Sequence, residues 1–250
     1  MALAVALGGA VAAPPLTRAQ ALKALDEPDA AQRLAGVARL AAIGTAADAE
    51  RLLGRLSDPE PQVREEAGAA IWQLWSRSGD AAIDKLFQRG VAQMQAQSFA
   101  EALATFNEIV RRKPAFVEGW NKRATVHFLL GASEKSLQDC DEVLKRNRNH
   151  FGALSGAGQI HLQLGHAEEA LAFFKRALAV NPNLEGLGEA IEVLEQHLRI
   201  KSRNTTRRPP ARRARAAVSA PRFRLARRVA AAPARRLRAA GHPGSGGGRR

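Results

Sequence analysis

The side chains that could do chemistry are few, and they are scattered. Six histidines stand at His127, His150, His161, His166, His197 and His242, and the single cysteine is Cys140. His127 and His161 are 34 residues apart, so a repeating structure would carry them at equivalent sites. Two imidazoles alone do not make a metal site, and no histidine pair at one-turn helical spacing or neighbouring glutamate completes a ligand set. Metal ligands: none are assigned. A lone thiol makes neither an internal disulfide nor a four-thiolate zinc site, and Cys140 reads as a buried, inert side chain. Glycine runs occur only at Gly8-Gly9 and Gly246 to Gly248, and neither follows a strand that could present a phosphate loop. No serine, histidine and acid set can be assigned, so the reading gives no catalytic residues, no cofactor and no enzyme.

The elements that carry these residues are helical. The chain has no tyrosine, little strand-like alternation, and long stretches rich in alanine, leucine, glutamate and arginine, while 46% of it is apolar. The formal charge of +14 is unevenly placed. All 24 acids precede residue 200, whereas residues 201–250 hold 16 lysines and arginines. The body is therefore close to neutral, and the cationic extension is a separate question.

Residues 83–184 repeat with a period of 34. Leu86, Trp120 and Leu154 fall in register, as do Gly90, Ala124 and Gly158, then Ala102, Ser136 and Ala170, and then Phe106, Cys140 and Phe174. Gly131 and Gly165 sit where a tight turn between helices needs glycine, with Gln97 at that site in the first unit. Pro114 and Pro182 close the second helix by withholding a backbone donor, and Arg148 replaces proline in the middle unit. Trp120, four residues before Ala124, is expected to fill the space between helices.

This pattern resembles the tetratricopeptide repeat in three tandem units, 83–116, 117–150 and 151–184, followed by a cap helix at 185–199. Upstream, Asp58-Pro59-Glu60-Pro61-Gln62-Val63-Arg64 resembles the HEAT repeat. A partial copy around Leu25 to Leu40 places Arg33 31 residues before Arg64. Residues 16–79 thus read as HEAT-like helical repeats. The fold class is all-α: an α-solenoid of helical hairpins, with HEAT-like units stacked without interruption on three tetratricopeptide units.

The resemblance implies a concave groove lined by the first helices: Phe87, Val91 and Met94, then Asn121, Thr125 and Phe128, then Ser155, Gln159 and Leu162. Apolar anchors mixed with amides and hydroxyls suit an extended peptide or an amphipathic helix. The expected function is a non-catalytic scaffold binding a protein or peptide partner. Its alternative is a nucleic-acid-binding protein acting through the arginine-rich tail.

Both ends carry their own expectations. Residues 1–12 form an uncharged apolar run ending in Ala10-Val11-Ala12, a pattern that signal peptidase accepts, although no basic segment precedes it. The run is shorter than the roughly 20 residues of a membrane span. The reading is export to the periplasm or envelope of a bacterium, with the cytoplasm as the alternative. Residues 200–250 are too poor in large apolar side chains to offset the entropy of ordering, so a disordered tail is expected. That tail fits nucleic acid, anionic lipid or a shifted reading frame in a GC-rich gene.

Overall fold

The computed structural model describes residues 14–206. Among them are eleven α-helices and no strand: α1 (Arg18–Ala24), α2 (Ala30–Ile43), α3 (Ala49–Leu53), α4 (Pro61–Trp75), α5 (Ala81–Gln95), α6 (Phe99–Arg112), α7 (Val117–Leu129), α8 (Ser133–Arg146), α9 (Phe151–Gln163), α10 (Ala167–Val180) and α11 (Leu187–Thr206). The helices pack as successive antiparallel pairs in an α-solenoid. The candidate leader at 1–12 and the tail from residue 207 onward lie outside the described residues. The cap helix runs through Thr206, beyond the boundary expected at residue 199, because no proline or glycine interrupts it there.

Local sequence sets the helix ends. Thr17 and Gln20 form a capping box at α1, Asp29 accepts from the Ala31 N–H at α2, and Asp80 accepts from the Ala82 and Ile83 N–H groups at α5. Pro61 opens α4, where its missing donor costs nothing. The paired helices of the three 34-residue units are α5 with α6, α7 with α8, and α9 with α10. Gly131 and Gly165 make the intervening turns at φ 77° and 80°, and Gln97 makes the same turn at φ 59°. The first unit therefore has the full turn despite lacking the glycine.

The 31-residue offset upstream is matched by repeated hydrogen bonds. Arg33 Nη1 donates to the carbonyls of Glu27 and Pro28, and Arg64 Nη1 donates to those of Asp58 and Pro59. Arg33 also donates through Nε and Nη2 to the two carboxylate oxygens of Asp58, both at 2.8 Å. That bidentate pair is buried and ties α2 to the loop before α4.

An uninterrupted stack would lay α4 along α5. Instead, α4 packs with α2 and α3 and meets the third 34-residue unit through its tryptophans. Trp72 and Trp75 each lie with ring centroids 5.1 Å from Phe151, and Asn183 Nδ2 donates to the Leu56 carbonyl at 2.7 Å. Asn149 Nδ2 reaches Glu50 Oε1 at 3.0 Å. The two indoles on α4 bury apolar area against Phe151, and this sets the junction.

Trp120 departs from expectation as well. It is only half-buried, its Nε1–H donates to the Pro114 carbonyl at 2.9 Å, and Arg123 and Arg146 lie over its ring at 4.8 and 4.9 Å. The core between the first and second units is built by Ile83, Phe87, Phe106, Ile109 and Phe116 with Val126 of α7.

Candidate functional site

The first helices α7 and α9 run side by side, and between them opens a cavity of about 100 Å³. Its wall on α7 is Asn121, Lys122, Ala124, Thr125 and Phe128, and on α9 it is Gly152, Ser155, Gly156, Gln159 and Ile160. Ser136 and Cys140 of α8 and Phe174 of α10 form the floor, while Trp72 of α4 stands at the edge.

Five of the nine groove residues read from the sequence line this one cavity: Asn121, Thr125, Phe128, Ser155 and Gln159. The other four do not. Phe87 is buried, with ring centroids 6.1 Å from Phe106 and 5.3 Å from Phe116, so it serves the core rather than the wall. Val91 and Met94 pack on the same core, and Leu162 packs on the core of the third unit. Trp72 was not on the sequence-derived wall, because no spacing rule connects a residue in α4 with the third repeat; Lys122, which adjoins Asn121 on α7, was not on it either.

The polar groups on the wall are differently occupied. Thr125 Oγ1 donates to the Asn121 carbonyl and Ser155 Oγ to the Gly152 carbonyl, so their oxygens remain as acceptors. Asn121 Nδ2 donates to both oxygens of Glu118 at 3.1 Å. The Gln159 amide is half-buried and has no hydrogen-bond partner among the described residues. It is the wall's free donor and acceptor.

Beneath Asn121 lies a polar cluster that sequence reasoning missed. Glu118 and His150 are fully buried and meet at 2.9 Å. His150 Nδ1 accepts from the Ala153 N–H at 3.1 Å, capping α9, which leaves Nε2 to donate to Glu118. Burial opposes ionisation of Glu118, but Lys122, His150 and Asn121 outweigh it and hold the carboxyl below its ordinary value. With no solvent access, the pair joins units and cannot meet a substrate.

The remaining chemistry-bearing residues are separate from the cavity wall or inert on it. Burial foremost, then Asp139 and Asp141, pushes the Cys140 thiol up to about 12, so at neutral pH it stays protonated. His127 faces Asp139 at 3.9 Å, whereas His161 stacks on Phe173 and meets His166 at 3.4 Å between their Nδ1 atoms. The one-period histidine pair thus engages different neighbours. Among the described residues no three His, Cys, Asp or Glu side chains converge as metal ligands.

Residues 87–149 and residues 151–184 each match a family model described as Tetratricopeptide repeat. A TPR repeat-containing protein of Rhizobium etli is 33% identical over 124 residues, covering 50% of this chain and 61% of its own length. The Hsp70-Hsp90 organizing protein of Triticum aestivum is 22% identical over 117 residues, covering 45% of this chain and 20% of its own. The TPR domain of Sgt2 from Aspergillus fumigatus, a solved structure, is 20% identical, covers 56% of this chain and 93% of its own, and superposes with a TM-score of 0.46. The chain spans less than two thirds of the length of both curated relatives.

Proposed function

We propose that this chain, whose residues 87–149 and 151–184 are tetratricopeptide repeats, is a non-catalytic scaffold that holds a peptide or helix of a protein partner against the concave face of α7 and α9. The observation that carries the reading is the cavity between those helices, apolar within and edged by the unpartnered Gln159 amide. An apolar pocket supplies binding energy, while a free amide and hydroxyl oxygens meet the backbone of the ligand and fix its register. The name of the wheat relative, an Hsp70-Hsp90 organizing protein, supports a protein as the class of partner.

The test uses the full chain as bait in an extract of its own cells. Thr125→Arg and Gln159→Arg each put a long charged side chain into the groove, and either should abolish retention of the main partner while the thermal melt is unchanged. Retention undiminished in both variants would overturn the reading. If that retained material is released by nuclease, binding through the arginine-rich tail takes its place.

The same proposal includes export to the cell envelope, which rests on Ala10-Val11-Ala12. No helix among the described residues is long and apolar enough to cross a membrane.

A further inference from the structure

The described chain consists of two bodies with separate cores. In residues 14–77, α1 packs with α2, and α4 with α2 and α3, around the fully buried Val37, Leu40, Leu52, Val63, Ile71 and Leu74. The repeat array begins with α5, which packs with α6 and α7. Between the two bodies, the hydrogen bonds of the linker change sides at adjacent residues. The Arg77 N–H donates to the Leu74 carbonyl at 3.1 Å, and the Arg77 guanidinium donates to the Ala41 and Gly44 carbonyls, so Arg77 belongs to the first body. The Ser78 N–H donates to Asp84 Oδ1 at 2.8 Å, and Ser78 Oγ donates to the Asp80 carbonyl at 3.0 Å, so Ser78 belongs to α5.

The seam between the bodies is made by the ends of side chains. The rings of Trp72 and Trp75 meet Phe151, Asn183 reaches the Leu56 carbonyl, and Asn149 reaches Glu50. Trp72 also lies under Lys122, whose Nζ is 5.6 Å from the ring centroid, and a methyl on Gly152 would stand 2.4 Å from its Cη2. One turn further along α9, a methyl on Gly156 would meet nothing within 4 Å. Trp72 therefore covers the start of α9 and stops where the open wall begins. A seam of side-chain ends between two independently packed bodies, with the linker changing sides at one point, permits rotation without breaking either core.

We infer that residues 14–77 are a hinged lid, which turns about the Arg77–Ser78 joint and in this structure shuts one end of the groove with Trp72. What the lid governs rests on the groove reading above. With the lid down, a partner lies along α9 only from Gly156 onward; with it raised, the wall is open back to Gly152, and Phe151 and His150 are uncovered.

Spin labels on Glu66→Cys of α4 and Glu169→Cys of α10 in the full chain test the hinge, since both positions are exposed and Cys140 is buried. The distance distribution from pulsed dipolar spectroscopy should be dominated by one narrow component. Gly152→Leu puts a side chain where the Trp72 ring sits, and it should raise the share of a longer, broader component at least about tenfold. Gly156→Leu should leave the distribution as it was. Trp72→Ala, which removes the seated ring and adds no bulk, should act as Gly152→Leu does with unchanged far-ultraviolet circular dichroism, and it decides the matter if Gly152→Leu does not fold. An unchanged distribution in Trp72→Ala shows a fixed junction, and a loss of helix content shows unfolding in place of rotation; either overturns the inference. Glu50→Cys and Asn149→Cys joined by a short bismaleimide hold the lid down, and retention of the main partner should then fall at least about tenfold against the unjoined chain. Equal retention would overturn the lid's control of the groove while leaving the groove reading intact. Distances that respond as expected, combined with retention insensitive to Thr125→Arg and Gln159→Arg, would sink the groove reading and leave the hinge standing.

Discussion

The imidazole of His150 lies stacked on the indole of Trp75, with ring centroids 4.2 Å apart and planes 18° from parallel. One contact thereby joins α4, the N-cap of α9 and, through Nε2, Glu118 of α7. Three segments distant in sequence depend on it.

Trp75 is the tryptophan whose loss should matter most. It is buried, at 6% exposure, whereas Trp120 is half-buried between two guanidinium groups. Trp75→Ala should cost about 3 to 5 kcal/mol, as truncation of a buried aromatic does. Trp120→Ala should cost clearly less. Urea denaturation of both variants decides the order, and the reverse ranking would show that α4 does not dock on α9.

Removing His150 strands a buried carboxylate. His150→Phe keeps a ring on Trp75 but leaves Glu118 without its closest partner, and the expected loss is about 3 to 5 kcal/mol. Glu118→Gln in the same background should restore part of it, because a neutral amide tolerates burial better. Equal stability of the single and double variants would contradict the pairing.

Acid should destabilise the protein over two pH ranges. Burial foremost holds His127 below the ordinary imidazole value of about 6.5, so its folded form resists protonation and stability begins to fall as pH drops through that value. The Asp58 carboxyl is held low by the hydrogen bonds from Arg33, against burial, and Asp48 is held low by those from Arg18. Their stabilisation is complete above the unfolded carboxylate value of about 4 and is lost as pH falls through the lower folded value. Melts from pH 7 to pH 2 should show both slopes. His127→Gln should flatten the upper one, and Asp58→Asn should flatten the lower one while reducing Tm at neutral pH.

Gln97→Gly should stabilise the chain. Gln97 holds φ 59°, a conformation that costs a side-chain-bearing residue about 1 to 2 kcal/mol, and glycine performs the same turn at residues 131 and 165. After the added entropy of glycine in the unfolded chain, the net gain should be about 1 kcal/mol, or about 2 to 4 °C in Tm. A lower Tm would mean that the Gln97 side chain makes a contact worth more than the strain.

The repeat period, the helix pairs and five of the residues that line the cavity were legible in the sequence, because helical periodicity is local and a 34-residue recurrence repeats the same local solution. The resemblance placed Asn121, Thr125, Phe128, Ser155 and Gln159 on one wall without knowledge of what stood opposite. Tertiary structure alone decided the rest. The joining of Trp72 and Trp75 to His150, Phe151 and Gly152 crosses more than seventy residues of chain, and no periodicity encodes a contact between unlike repeats. Trp120 and Phe87 show the same limit at shorter range. Register assigned each a face, but which face is buried depends on the helix that packs beside it, and there Phe116 drew Phe87 into the core while Arg123 and Arg146 kept Trp120 at the surface. Whether the side chains between α7 and α9 would leave a cavity was likewise a matter of packing in three dimensions.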